Sequence, residues 1–214
     1  MIDKEKKILF IHIPKTGGTS ITKALSGDRS HTTLRHHLLF KKRYIPNFFQ
    51  NKKQNIILSS RIIYEQKFLK NKVPLIDENY KKITIIRNPW ARAVSWYKDV
   101  MRHENHRKGH GITNNISFKN FLLSYGNKSW ALRPQTYWLI DWEGNIYIDL
   151  ICKLENLNKD WPKICDFLSI NNLELPHINQ SPDNYEWKSY YDNETKKYVE
   201  KKYSFEIKKF EYEF

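Results

Sequence analysis

Cysteine and long apolar runs are what this sequence most clearly lacks. Its only two cysteines, Cys152 and Cys165, are not spaced like the ligands of a metal site. This scarcity excludes a thiolate-bound metal and favours free thiols in a reducing compartment. The first seven residues, MIDKEKK, contain no apolar signal segment, and no run of apolar residues is long enough for a spanning helix. We therefore expect a soluble, cytoplasmic protein.

Acidic side chains are also few relative to basic ones. The chain has 23 Asp and Glu against 37 Lys and Arg, which gives a formal net charge of +14 and a pI near 9.6. Such a surface attracts anions, whether a nucleotide, an acidic glycan, a nucleic acid or an acidic lipid, and charge alone does not choose among them. No repeat or low-complexity segment interrupts the 214 residues, of which 40% are hydrophobic. Residues 1–214 are expected to form one domain with a sizeable core.

Two of the seven glycines stand side by side in the first motif, ILFIHIPKTGGTS, which spans residues 8–20. The apolar run at 8–11 has the length and composition of a buried parallel strand, Pro14 ends it, and the apolar pattern at 21–25 begins a helix. A strand, a glycine turn and a helix start expose backbone N–H groups and the positive end of a helix dipole at one point. That geometry suits a phosphate or sulfate group.

The residue types in this turn are those that bind anions. Glycines let the backbone approach the anion, hydroxyls donate hydrogen bonds, and a lysine adds a mobile charge. The common nucleotide-triphosphate loop is excluded because it places its lysine after the glycines, whereas here the lysine precedes them. An ordinary tight turn, in which the glycines only allow close packing, is the alternative. The predicted anion-binding residues are Lys15, Thr16, Gly17, Gly18, Thr19 and Ser20.

A second motif, KITIIRNPWARAVSWY, repeats the same plan from Lys82 onward. Its β-branched residues at 83–86 predict a strand, Asn88 and Pro89 break it, and a helix follows with Pro89 near its first position. Arg87 falls where the strand ends. Repetition of the strand-to-helix plan makes an anion site more probable than two unrelated turns.

The two motifs are expected to share one crevice. In doubly wound sheets, ligands bind outside the carboxyl ends of the strands, so Arg87 and the first motif would face the same space. Ser95 lies about two helical turns after Arg87, and Arg92 is the other candidate cation on that helix.

Together the two motifs resemble the sulfotransferases that use 3'-phosphoadenosine 5'-phosphosulfate, most closely the carbohydrate-type branch. Three further segments resemble landmarks of that family and follow in the same order: LRPQTY at 132–137, ICKLENL at 151–157 and FEIKKFEYEF at 205–214. The similarity therefore covers nearly the whole chain, and the paired motifs are its specific part.

The resemblance implies a division of roles between the two motifs. The first motif would bind the 5'-phosphosulfate, with Lys15 stabilising the leaving phosphate, and Arg87 and Ser95 would bind the 3'-phosphate. The implied reaction transfers a sulfuryl group to the hydroxyl or amine of an acceptor, such as a glycan or a small metabolite. It requires no metal, and the donor is the only cofactor.

Sulfuryl transfer benefits from a general base, and a histidine titrating near neutral pH supplies typically about 10²–10⁴-fold in rate. The densest titratable cluster is HTTLRHH at 31–37. His31 is the first choice as base, and His36, His37 and Glu65 remain open. A solvated polar loop is the alternative for each histidine.

Other functional classes fit less well. HENH at 103–106 is one residue short of a zinc-protease motif, so the basic segment 101–112 is interpreted as a mobile, acceptor-contacting loop. A nucleotide-dependent kinase would need an acidic residue at the end of the second strand, where Arg87 stands. A nucleic-acid-binding module would explain the charge but not the matching motifs, so nucleic acid is not an expected partner.

The fold class follows from this alternation of strands and helices. We predict an α/β, P-loop-like, three-layer domain with a mainly parallel central sheet of about four or five strands and helices on both faces. Further strands are predicted at 56–60 and 145–154, and further helices at 64–70, 158–168 and 193–203. Ser117 is predicted to cap another helix. The role of Arg133 is left open between a site residue and a surface cap.

Overall fold

The computed structural model describes residues 1–25, 30–39, 60, 63–64, 75–170 and 186–214. The predicted strand at 56–60 lies outside these residues except for Ser60, which is helical. Glu65 and most of the predicted helix at 64–70 also lie outside them. Within them, no helix combines the length and apolar character needed to cross a bilayer.

Four strands form one sheet in the order β1–β2–β3–β4. They are β1 (Ile2–Asp3), β2 (Ile8–Ile11), β3 (Lys81–Ile86) and β4 (Leu150–Lys153). β2, β3 and β4 run parallel, with Phe10 opposite Ile83 and Ile85 opposite Cys152, while β1 pairs antiparallel with β2. The sheet is thus mixed but mostly parallel, which confirms the predicted α/β class.

Nine α-helices lie among the described residues. They are α1 (Gly18–Ala24), α2 (Leu34–His37), α3 (Pro89–Arg102), α4 (Glu104–Gly109), α5 (Phe118–Tyr125), α6 (Thr136–Leu139), α7 (Leu157–Leu168), α8 (Asn193–Lys202) and α9 (Ser204–Lys209). Short 3-10 turns occur at Trp130–Leu132, Leu154–Asn156 and Trp187–Tyr190. The predicted helices at 158–168 and 193–203 and the cap at Ser117 are confirmed.

Alternation along β2 divides the core into two layers. Leu9 and Ile11 pack with α3, α5 and α8, whereas Ile8 and Phe10 pack with α1 and α7. Successive side chains of a strand point to opposite faces, so a strand of four buried apolar residues requires cover on both sides. Helices on both faces provide it and complete the three layers.

Two strand predictions were wrong in detail. The sequence predicted a strand over 145–154, but β4 begins at Leu150, and the preceding residues make only an isolated bridge between Ile140 and Ile146. The antiparallel strand β1 was missed because two residues carry no periodic pattern. The ammonium group of Met1 nevertheless donates to the Phe10 carbonyl at 3.0 Å, and the Met1 residue is buried.

Candidate active site

The first motif forms a turn between β2 and α1. Lys15 and Gly17 both have left-handed backbone angles, with φ of 66° and 76°. Such a conformation costs a non-glycine residue about 1–3 kcal/mol, so the fold over-determines the position of Lys15. Thr16 is fully buried, and its Oγ1 donates to the Ile13 carbonyl at 3.0 Å. Thr16 therefore shapes the turn from inside.

The two glycines of this turn are also required by packing. A Cβ on Gly18 would lie 2.1 Å from Cδ2 of His12, and one on Gly17 would lie 2.5 Å from Cδ1 of Leu154. Both glycines thus let the turn fit tightly against neighbouring side chains. Thr19 and Ser20 follow within the first turn of α1, and Ser20 is almost completely buried.

The second motif adopts the predicted strand-to-helix geometry. β3 ends at Ile86, Arg87 follows it directly, and Pro89 is the first residue of α3. Asn88 caps the helix, because its side-chain oxygen accepts hydrogen bonds from the backbone of Trp90 at 3.0 Å and of Ala91 at 3.3 Å. A capped, proline-started helix fixes the direction in which the chain leaves the sheet.

The two motifs lie against each other. Nη1 of Arg87 donates to the carbonyl of Lys15 at 3.3 Å, and the Lys15 ammonium pairs with Asp99 at 3.1 Å. Ser95 stands one turn before Asp99 in α3, so these two residues share a helix face. The structure therefore brings Lys15, Arg87 and the Ser95 face of α3 to one end of the parallel sheet.

Arg92 does not serve as a second cation in the crevice, which corrects that expectation. It is almost completely buried, with its guanidinium donating to the carbonyls of Pro14, Ala131 and Arg133. These bonds tie the first motif to the chain before α6, so Arg92 stabilises the scaffold. Arginine is seldom buried, and the sequence alone therefore favoured a surface role.

His31 lies beside the first motif. Its Nδ1 is 2.8 Å from the carbonyl of His12, and its ring centre lies 4.2 Å from that of His12 with the planes tilted by 44°. The His12 ring in turn lies against the Gly18 position. A carbonyl oxygen only accepts, so Nδ1 carries the hydrogen and Nε2 of the neutral ring keeps its lone pair. Burial lowers the pKa of His31, and the charges of Met1 and Lys15 lower it further against the hydrogen bond to His12.

The other histidines of this cluster have local structural contacts. Nδ1 of His36 accepts from the Thr33 backbone at 3.0 Å and completes the capping box of α2. His37 is buried, with Nε2 2.9 Å from the Thr32 hydroxyl. The neutral, partly desolvated ring of His31 is the better placed of the three beside Lys15.

A buried polar network supports Arg87 from behind, and the sequence analysis missed it. The side chain of Gln135 forms hydrogen bonds with both the backbone N–H and the carbonyl of Arg87, and it also donates to Glu206. The backbone N–H of Asn88 donates to Glu155 at 2.7 Å. Gln135 and Glu206 are 0% and 1% exposed. Burial raises the pKa of Glu206, while the charge of Arg92 and hydrogen bonds from Gln135 and Thr136 oppose that shift.

The basic segment 101–112 is not a simple loop, contrary to prediction. Residues Glu104–Gly109 form α4, in which Lys108 pairs with Glu104 at 2.7 Å and Arg107 donates to the carbonyl of Met101. An open cavity of about 340 Å³ lies beside this helix. Among the described residues, no group of three or more His, Cys, Asp or Glu side chains is arranged to hold a metal ion.

The tryptophans differ in their exposure. Trp138 and Trp142 are buried, whereas Trp130 exposes 43% of its surface and its ring lies 5.5 Å from that of His31. Arg133 donates to the Tyr137 hydroxyl and lies over its ring, so its side chain packs against α6. Of these three tryptophans, Trp130 is the one with an exposed face beside His31.

Comparison with known proteins gives one match. No curated protein and no solved structure matched the chain. The family model described as "Sulfotransferase family" matches residues 1–213, which includes both strand-to-helix motifs and the segments that support Arg87. On that match, the chain belongs to the sulfotransferase family.

Proposed function

We propose that this protein transfers a sulfuryl group from 3'-phosphoadenosine 5'-phosphosulfate to the hydroxyl or amine of an acceptor. Membership of the sulfotransferase family supports sulfuryl transfer in general. The identity of the donor rests on the residues of the crevice, and no metal takes part in the proposed reaction.

The observation that carries this proposal is the contact between the two motifs. Arg87 and Lys15 are linked by a hydrogen bond of 3.3 Å and place two cationic side chains at one end of the parallel sheet. Both residues are only partly exposed, and the hydroxyls of Thr19, Ser20 and Ser95 lie on the adjoining first turns and helix face. A donor with phosphate groups at both ends of its nucleoside fits such a set of cations and hydroxyls.

Each residue has a role in this proposal. Lys15, with the N–H groups of residues 16–20 and the hydroxyls of Thr19 and Ser20, holds the 5' end of the donor and stabilises charge on the departing phosphate. Arg87 and Ser95 hold the 3'-phosphate. Two anchors at opposite ends of the nucleotide fix the sulfur in line with the incoming oxygen or nitrogen.

His31 is proposed as the general base. Its hydrogen-bonded Nδ1 and lowered pKa favour a neutral ring with a free lone pair on Nε2, which is the form that accepts a proton. The acceptor gives its proton to Nε2 as its oxygen or nitrogen bonds to sulfur and the bond between sulfur and the phosphate oxygen breaks. The exposed face of Trp130 is available to an acceptor ring beside His31, which is compatible with a glycan or a small cyclic metabolite.

The donor assignment is tested by calorimetric titration with 3'-phosphoadenosine 5'-phosphate without magnesium, in parallel with ATP and magnesium. We expect micromolar binding of the first ligand alone. Preference for ATP with magnesium would indicate a kinase-like enzyme. Binding of neither, together with salt-sensitive retention on DNA, would indicate a nucleic-acid-binding module.

The base assignment is tested with His31→Gln and with His36→Gln as the matched control. In the presence of a mixed pool of hydroxyl and amine acceptors, we expect His31→Gln to lower turnover of the donor by about 10²-fold or more. His36→Gln should retain turnover, and equal losses in the two variants would contradict the choice of His31.

A further inference from the structure

Asp99 connects the first motif to two histidines of the following segment. Its Oδ1 lies 3.1 Å from the Lys15 ammonium and 3.8 Å from Nε2 of His103. Its Oδ2 lies 2.8 Å from Nδ1 of His106. Asp99 is the only acid that pairs with Lys15 among the described residues. Neither the sequence motifs nor the proposed donor contacts account for it.

This carboxylate opposes the proposed function of Lys15. The positive charge that would attract a phosphate is already neutralised by Asp99, and the carboxylate itself repels an anion in the same space. A donor phosphate that takes the ammonium therefore has to separate the pair. Separation leaves a carboxylate whose side chain is 19% exposed, which is costly unless another partner remains.

His106 provides that remaining partner. A carboxylate only accepts hydrogen bonds, so Nδ1 of His106 donates to Oδ2 whether or not the ring is charged. The ring of Trp96 lies 5.4 Å from that of His106 and helps to hold it in place. One Asp99 oxygen thus contacts Lys15 of the first motif and the other contacts His106 of α4. The contact with His106 can persist when the contact with Lys15 breaks.

We propose that Asp99 is a counter-ion that occupies Lys15 in the free protein and releases it to the donor phosphate, while His106 retains the carboxylate. This inference rests on the proposed function, since it takes a donor phosphate as the competing partner of Lys15. It assigns opposite effects on donor affinity to two neighbouring side chains. A merely structural ion pair would not produce opposite signs.

The test is a double-mutant cycle with 3'-phosphoadenosine 5'-phosphate as the titrated ligand. Asp99→Asn removes the competing charge and should tighten binding by about two- to fivefold, the range of a partly exposed ion pair. His106→Gln leaves Asp99 without its remaining partner and should weaken binding by a similar factor. In the Asp99→Asn background, His106→Gln should have no further effect, because the retained charge is gone.

His103→Gln is the matched control, since that ring is 3.8 Å from Asp99 and exposed, and it should change affinity by less than twofold. Asp99→Ser provides a second variant should the asparagine disturb folding, which circular dichroism will check. Weaker binding by Asp99→Asn, or an undiminished His106 effect in its background, overturns the inference while the donor site stands. A wild-type protein that does not bind the ligand overturns the proposed function and this inference with it.

Discussion

The side chain of Gln135 pairs with the backbone of Arg87 as a neighbouring strand would. Its Oε1 accepts from the Arg87 amide at 2.8 Å, and its Nε2 donates to the Arg87 carbonyl at 2.8 Å. Two bonds to one residue fix the backbone at the point where β3 ends. The direction of the Arg87 side chain therefore depends on an amide 48 positions later in the sequence.

Gln135→Met should weaken donor binding without removing any charge. The methionine fills similar space but leaves both backbone groups of Arg87 without their partner, which costs about 1–3 kcal/mol in unfolding free energy. We expect roughly tenfold weaker binding of 3'-phosphoadenosine 5'-phosphate by calorimetry in protein that circular dichroism shows to be folded. Unchanged affinity in a destabilised variant would mean that Arg87 keeps its orientation without Gln135.

Arg87→Ala should lower donor affinity more steeply. Charge-assisted hydrogen bonds contribute about 1.5–3 kcal/mol, which corresponds to a loss of roughly 10- to 150-fold. Calorimetric titration measures it, and Arg102→Ala, at the exposed end of α3, is the matched control. A loss below about threefold for Arg87→Ala would exclude its assignment to the 3'-phosphate.

Gly18→Ala should destabilise the fold around the first motif. The added Cβ would lie 2.1 Å from the ring of His12, so that ring and the His31 ring in contact with it must shift. Overpacking of this kind costs about 1–3 kcal/mol, measurable as a lower urea midpoint. Gly109→Ala, where nothing lies within 4 Å of the new Cβ, should leave the midpoint nearly unchanged or raise it. Equal behaviour of the two variants would refute the packing role of Gly18.

Glu206→Gln should lower the free energy of unfolding, because it removes a negative charge near the buried Arg92 guanidinium. The carboxylate of Glu206 is the acidic group whose charge acts on this buried guanidinium. Its loss removes that favourable charge and the acceptor of two hydrogen bonds from Gln135, and a hydrogen bond to a charged group contributes about 1.5–3 kcal/mol. Urea unfolding measures the change, with Glu213→Gln at an exposed position as the control. A loss of less than 1 kcal/mol would show that the carbonyls around Arg92 suffice.

Loss of the proton from Lys202 should raise the free energy of unfolding as the pH rises from neutral to mildly alkaline values. Burial, assisted by the charge of Arg92, lowers the pKa of Lys202 from 10.5 to about 8. Between these values the unfolded state binds more protons than the folded state, so this group's contribution to the unfolding free energy rises with pH. We expect a gain of about 1–3 kcal/mol from pH 8 to 10 that is absent in Lys202→Gln. Parallel pH curves for the two proteins would contradict the shift.

Sequence patterns over a few neighbouring residues correctly predicted the strands and helices that are determined by contacts within the same segment. The strand Ile8–Ile11 and the helix starting at Pro89 each carry their own signal, in apolar run length and in a proline at the first helical position. The glycine turn was predicted correctly, although the sequence could not separate an anion site from close packing. The contact of His12 with the Gly18 position shows that packing alone already requires glycine there.

The unpredicted parts depend on contacts between distant residues. Arg92 was expected to be a cation of the crevice, because no local pattern indicates three backbone carbonyls converging on a guanidinium. Lys15 and Asp99 are 84 positions apart, so neither motif contains their pair. Ser95 was selected through family resemblance, and its role in binding remains a prediction.

The turn that carries Arg87 is held by residues near the C-terminus. The side-chain amide of Asn88 donates to the Glu213 carbonyl at 2.7 Å, across 125 positions of sequence. The carboxylate of Glu206 accepts a hydrogen bond from Gln135, whose side chain holds the Arg87 backbone. Contacts of such high sequence separation slow folding, because a long loop must close before they form. During synthesis from the N-terminus, both motifs would leave the ribosome well before these partners exist. Acquisition of donor binding should therefore wait until residues 206–213 have been made and have docked.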